Sequence, residues 1–197
     1  MTLPPDIDPQ SGFRLPLLKR EDLDEDGKRA YDRASTPGST IVGLRGPAGI
    51  HLYSTRTIAA SSTVNRYLRY EAGFDAKVRE VAILTVAREM DSQFEWAAHE
   101  PEALKEGVAQ SVIDVIKYRR STAGLSETDA AIIDFGRQAV GKHKVMPETF
   151  ARLKALFGPH KLVELVLLMG NYASTAILLA AMDMQVPEGK PQLPTRP

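Results

Sequence analysis

Cysteine is absent from the 197 residues, and this removes disulfides, thiolate metal sites, cysteine nucleophiles and every thiol-based redox cycle. An excess of charge of one sign is missing too: 25 Lys and Arg against 25 Asp and Glu leave a formal net charge of zero. No basic stripe with interleaved aromatics suits a phosphate backbone, so nucleic acid is not an expected partner. The N-terminus, MTLPPDIDPQSGFRLPLLKRED, lacks a basic segment followed by an apolar run, the pattern of a secretory signal, and cytoplasmic residence is the default expectation. Alternating β-branched or aromatic runs with hairpin turns are also lacking, while helical periodicity dominates after residue 20. The expected class is all-α, in a single domain large enough to bury its own core.

The helical domain is expected over residues 21–186. An N-terminal arm (1–20) and a C-terminal tail (187–197), both rich in proline and polar residues, are expected to wrap or dangle. REDLDEDGKRAYDRAS reads as a first helix and TPGSTIVGLRGPAG as a breaker-rich loop leading to a second helix near His51, which STVNRYLRY continues. DAKVREVAILTVAREM is the best amphipathic helix, with Val78, Val81, Ala82, Leu84, Thr85 and Val86 crowding one side. Asp91 suits the N-cap of the following helix, which Pro101 is expected to end or kink. Past the turn at Gly107, EGVAQSVIDVIKYRR continues the pattern. SETD at 126–129 starts AAIIDFGRQAV, and MPETFARLKALFG ends at Gly158, a C-cap candidate.

Residues 165–182, LVLLMGNYASTAILLAAM, need a membrane check, being uncharged and about as long as the shortest spanning helices. Gly170, Asn171, Ser174 and Thr175 interrupt the stretch, Glu164 and Asp183 bracket it, and no Lys or Arg cluster follows. A central buried helix is expected, with no membrane partner.

The stretch SQFEWAAHEPEA, residues 92–103, places Glu95 and His99 at i, i+4 around the only tryptophan, Trp96. That spacing stacks the two side chains on one helical face, and a carboxylate beside an imidazole suits proton transfer near neutral pH. Many solvated helices carry such pairs without function, and Trp96 reads more naturally as core. Glu80 adds weight because it interrupts an apolar helix, where a carboxylate needs a partner or a role; Arg79 or Arg88 would neutralise it. If the two helices pack through the turn at Asp91, Glu80, Glu95 and His99 converge. His51, His143 and His160 lie far apart without ligand spacing, so no metal is expected. Ala59 to Thr63, AASST, lacks a nucleophile-elbow pattern and reads as close helix packing. Asn171 and Tyr172 either bond a neighbouring helix or face a pocket.

REVAILTVAREMDSQFEWAAHEPEALKEGVAQSVIDVI, residues 79–116, resembles the central segment of the carboxymuconolactone decarboxylase-like family, which also includes the alkylhydroperoxidase D-type proteins. The combination RE-x-A-I-L, E-W-x-x-H and a glycine-led GVAQSVIDVI carries the resemblance. LPLLKREDLDEDGKRAYD and LVELVLLMGNYASTAILLAA extend it over nearly the whole chain. It implies the helical bundle of that type.

The peroxidase branch of the family uses a glutamate, a Cys-x-x-Cys pair and a histidine. Here those positions fall on Glu80, Ser92, Glu95 and His99, so its thiol mechanism is chemically closed to this chain. The decarboxylase branch keeps E-W-x-x-H, and this implies a cofactor-free decarboxylation of a small carboxylated lactone, such as 4-carboxymuconolactone, in aromatic degradation. On that reading His99 donates a proton, Glu95 orients it and Glu80 positions substrate or water. Ser92, Trp96 and Tyr172 are expected at the substrate, and Arg56, Arg79 or Arg88 meets its carboxylate. A lactone hydrolase or isomerase, or a non-catalytic binding or assembly protein, remains an alternative. The chain is longer than is typical of such decarboxylases. The resemblance also implies a homo-oligomer, a trimer or hexamer, with pockets near subunit contacts.

Overall fold

A computed structural model describes residues 3–38 and 40–195; residues 1, 2, 196 and 197 of the expected arms and Ser39 of the expected loop lie outside it. The helices are α1 (Glu25–Ser35), α2 (Pro47–His51), α3 (Thr55–Arg66), α4 (Ala76–Glu89), α5 (Gln93–Lys105), α6 (Gln110–Lys117), α7 (Glu127–Gly136) and α8 (Pro147–Ala181), with no strand among the described residues. The expected all-α class is the one observed. Two of the helices run on into π turns, α3 through Tyr67–Glu71 and α7 through Arg137–Gly141.

The hub is α4. Every residue from 79 to 89 is buried, and α5, α6, α7 and α8 pack around it. The expectation of a one-sided amphipathic helix is corrected here: REVAILTVARE has no polar face, so it has no solvent side. Its charges enter the interior paired, Glu80 with Arg79 and His99, and Glu89 with Arg119 at 2.9 Å.

The last helix is correspondingly less central than its composition suggests. Leu165, Leu168, Met169, Tyr172, Ala176 and Leu179 pack inward, whereas Val163, Leu167 and Ile177 are 54%, 56% and 61% exposed. By length and composition α8 is apolar enough to cross a membrane, and 44% of its apolar stretch is buried within the chain. Gly158, at φ 71, breaks α8 into two parts at a kink, as its C-cap signal predicts.

Capping follows the sequence in part. Asp24 accepts from the Gly27 amide, and Ser126 accepts from the Asp129 amide at 3.1 Å. Asp91 does not cap α5: it adopts φ 50 between the helices, and Ser92 takes the N-cap position. The Ser92 amide donates back to the Ala87 carbonyl at 2.8 Å, which closes α4 and folds α5 onto it. Pro101 does not end α5, which runs on to Lys105.

Both arms wrap. The Arg14 amide donates to the Met182 carbonyl and the Gln185 amide to the Gly12 carbonyl, each at 2.9 Å. This pairing drives Phe13 into a cluster with Ile50, Phe94, Leu179 and Met184. At the other end Leu193 enters the main core. The Gln93 carboxamide reads the Leu193 backbone with two hydrogen bonds, donating to its carbonyl at 3.0 Å and accepting from its amide at 2.8 Å.

Close approach of α4 and α7 depends on Gly136. A Cβ there would lie 2.5 Å from Thr85 Cγ2, and Thr85 is itself fixed by its hydroxyl bond to the Val81 carbonyl. Gly136→Ala is expected to destabilise the chain: overpacking costs about 1–3 kcal/mol and outweighs the gain in helix propensity. Urea unfolding measures this, and a midpoint at or above the parent's would contradict the close approach.

Candidate active site

The fold of α5 onto α4 puts Glu80 and His99 side by side, although nineteen residues separate them. Glu80 Oε2 lies 2.8 Å from His99 Nδ1, and its other oxygen accepts from Arg79 Nε at 3.2 Å. Arg79 is anchored in turn by a bond to the Arg69 carbonyl at 2.9 Å. Burial alone would push the Glu80 carboxyl up. The His99 hydrogen bond, the charges of His99 and Arg69 and the Arg79 bond outweigh it and hold Glu80 below the ordinary carboxylate range. An ionised Glu80 can only accept, so the proton on this bond belongs to Nδ1. His99 Nε2 is then the ring nitrogen left for chemistry.

Glu95 is a different kind of carboxyl. It is 3% exposed, and neither oxygen has a hydrogen-bond partner. Its place in the first turn of α5 favours the charged form, because helix N-termini stabilise anions. Burial wins nonetheless and pushes its pKa up to about 8; nearby Ser92 acts in the opposite direction, without a well-formed bond. At neutral pH it is therefore a carboxylic acid holding a proton. The expected Glu95–His99 pairing is not made, and the orienting role read for Glu95 falls to Glu80.

Glu95, His99 and Tyr172 line one cavity of about 680 Å³ between α2, α3, α5 and α8. That is an ordinary size for a small-molecule site. The Tyr172 ring stands edge-on to the imidazole, centroids 5.2 Å apart, and burial raises its phenol so that it stays neutral. Asn171 fulfils both readings of the sequence, since it bonds Asn65 at 3.0 Å and also lines the cavity.

The other residues expected at the substrate lie elsewhere. Trp96 is fully buried in the core, its indole N–H donating to Glu100 at 2.6 Å. Ser92 is the buried N-cap of α5 and is not part of the cavity wall. Arg79 is committed to Glu80. Arg88 reaches the Pro194 carbonyl at 2.9 Å and is not part of the cavity wall, and Arg56 is exposed outside the cavity. Among helical arginines, sequence periodicity gives no means of telling the one that faces a cavity from those that do not.

The structure supplies instead a wall whose arginines the sequence did not single out. Arg33, Arg66 and Arg69 line the cavity, as do His51 and the Ser61–Thr63 part of AASST. Burial pushes the His51 imidazole down, so it sits there neutral. Arg69 and Tyr70 belong to the π turn after α3, an insertion that rotates following side chains off the regular helical face. A 3.6-residue pattern does not foresee it.

No protein-family model matches the chain, and no curated protein matches it. Solved structures do. A crystal structure of a protein of unknown function from Agrobacterium tumefaciens, a candidate antioxidant defence protein AhpD, superposes with a TM-score of 0.63 at 15% identity. The match covers 70% of this chain and 94% of that one. The fold is thus of the AhpD type.

Proposed function

We propose that this protein is a cofactor-free acid/base enzyme that decarboxylates a small carboxylated lactone or related ring acid, with 4-carboxymuconolactone as the reference substrate. The observation that carries the reading is a buried Glu95 whose oxygens have no hydrogen-bond partner and a Glu80-oriented His99 on the wall of one cavity. When the bond to the departing carboxylate breaks, its electron pair passes into the lactone as an enolate-type anion and carbon dioxide leaves. The carbon then takes up one proton. Glu95, still carrying its proton, stabilises the developing oxyanion by donating a hydrogen bond. His99 delivers the proton to carbon from Nε2 and is reloaded by solvent, while Glu80 fixes its tautomer and direction.

The antioxidant role named for the structural neighbour is not part of this reading, because a thiol cycle needs cysteine and this chain has none. The reading includes a homo-oligomer, trimer or hexamer, supported by the exposed apolar face of α8 at Val163, Leu167 and Ile177. Light scattering tests that part, and a monomer at micromolar concentration would remove it.

The test of function is product analysis. Purified protein is incubated with 4-carboxymuconolactone and, in parallel, with the same lactone lacking its carboxyl group. Carbon dioxide from the first and no hydrolysis of the second is the expected result. Ring opening without carbon dioxide would replace decarboxylation by hydrolysis.

A further inference from the structure

The cavity that holds Glu95 and His99 is charged in one sense only. Among the described residues lining it, Arg33, Arg66 and Arg69 are cationic, and Glu95 is the sole acidic group. Burial favours the neutral form of Glu95, so it opposes the arginines less than an exposed carboxylate would. An anion entering this space meets no opposing carboxylate on the wall, and the surrounding protein strengthens the attraction relative to open water.

The three arginines are not equivalent. Arg66 already pairs with Glu71 at 3.1 Å in a largely exposed setting. Arg33 stands on α1, which packs across α3 from the α4–α5 pair. Arg69 is closest to the chemistry: its charge acts on both Glu80 and Tyr172, which are the hydrogen-bond partner and the ring neighbour of His99. It has no carboxylate partner among the described residues, and its Nε is buried without any hydrogen bond. A guanidinium N–H shut away from water and unmatched by an acceptor is costly unless a ligand completes it. The Tyr70 ring, 5.0 Å from the guanidinium carbon, holds the group in place from one side.

We infer that Arg69 is the anchor for a substrate carboxylate, and that the cavity selects small ring compounds bearing at least one ionised carboxyl group over their neutral isosteres. The apolar part of the wall, Ile41, Val42, Phe94 and Ala98, faces the ring. The planar fork of arginine suits a carboxylate bidentately, which fixes the direction from which the acid and the imidazole meet the substrate. This inference rests on the proposed function for its choice of site and extends it by naming the group that recognises the substrate.

The experiment is calorimetric titration of the full chain with benzoate and with benzamide, its neutral isostere, at pH 7. The parent is expected to bind benzoate and to bind benzamide at least about tenfold more weakly. Arg69→Gln is expected to lose about tenfold or more in benzoate affinity with benzamide unchanged, and Arg69→Lys to recover part of the loss. Arg56→Gln, outside the cavity, should leave both affinities alone, and circular dichroism confirms that each variant is folded. Equal binding of the two probes by the parent, no benzoate binding at all, or unchanged benzoate binding by Arg69→Gln would each overturn the inference. Its failure is distinguishable from failure of the decarboxylase reading. Carbon dioxide release without Arg69-dependent benzoate binding sinks only the anchor. Arg69-dependent binding without carbon dioxide release sinks only the reaction.

Discussion

His99→Ala is expected to slow carbon dioxide release from 4-carboxymuconolactone by roughly 10²- to 10⁴-fold, the usual range for losing a positioned general acid. The geometry makes this the most damaging single change at the site. Glu80 is buried and committed through Arg79, so no other imidazole stands ready to take the place of His99 at that carboxylate. His51 also lines the cavity, but it belongs to α2 rather than to the helix that packs against Glu80. Truncation also leaves Glu80 Oε2 without its partner, which costs stability of about 1–3 kcal/mol. Urea unfolding must therefore accompany the kinetics. A folded variant that retains more than about a tenth of the parent rate would remove His99 from the chemistry.

The second large effect is one of stability against pH. Glu95 titrates at 4.5 when unperturbed and at about 8 in the folded chain. Between those values the folded state holds a proton that the unfolded state has released, so stability falls as pH rises. The contribution is fully present below about 4.5 and lost above about 8. That interval of about 3.5, at about 1.4 kcal/mol per pH unit, corresponds to on the order of 5 kcal/mol. Glu95→Gln keeps shape and polarity but cannot ionise, and it is expected to be the more stable chain by about that amount at pH 9, with little difference at pH 4.5. Denaturation of both chains in urea across pH 4.5–9 measures this directly. Parallel pH curves would show that Glu95 ionises normally. The same substitution replaces the acid O–H proposed to meet the oxyanion with a carboxamide N–H, a weaker donor that cannot ionise, so the stability gain at high pH is expected to accompany a modest loss of rate at neutral pH.

Which parts of this were readable in the sequence follows from the range over which each force acts. Helix class, the break at Gly158 and the cap at Ser126 depend on neighbours a few residues away and could be read directly. The Glu80–His99 pair could be anticipated because a carboxylate inside REVAILTVARE demands a partner and only a tight turn separates its helix from the next. The division of labour between Glu80 and Glu95 could not. It depends on which carboxyl the fold surrounds with donors and which it leaves bare, a property of packing rather than of spacing. Arg69 was hidden for a related reason, since its direction is set by a π turn that breaks the period used to read it. Trp96 fitted its bland reading as a core residue, and α8 proved less central than its composition implied because one apolar face stays open.

The clamp of Gln93 on Leu193 has a practical side. Gln93 begins the turn of α5 that carries Glu95, so the segment at Leu193 is fastened to the same few residues that hold the proposed acid. The cluster around Phe13 reaches the same turn through Phe94, which also lines the cavity, so both arms bear on the residues flanking Glu95. A purification handle at either end is therefore best cleaved before the site is assayed.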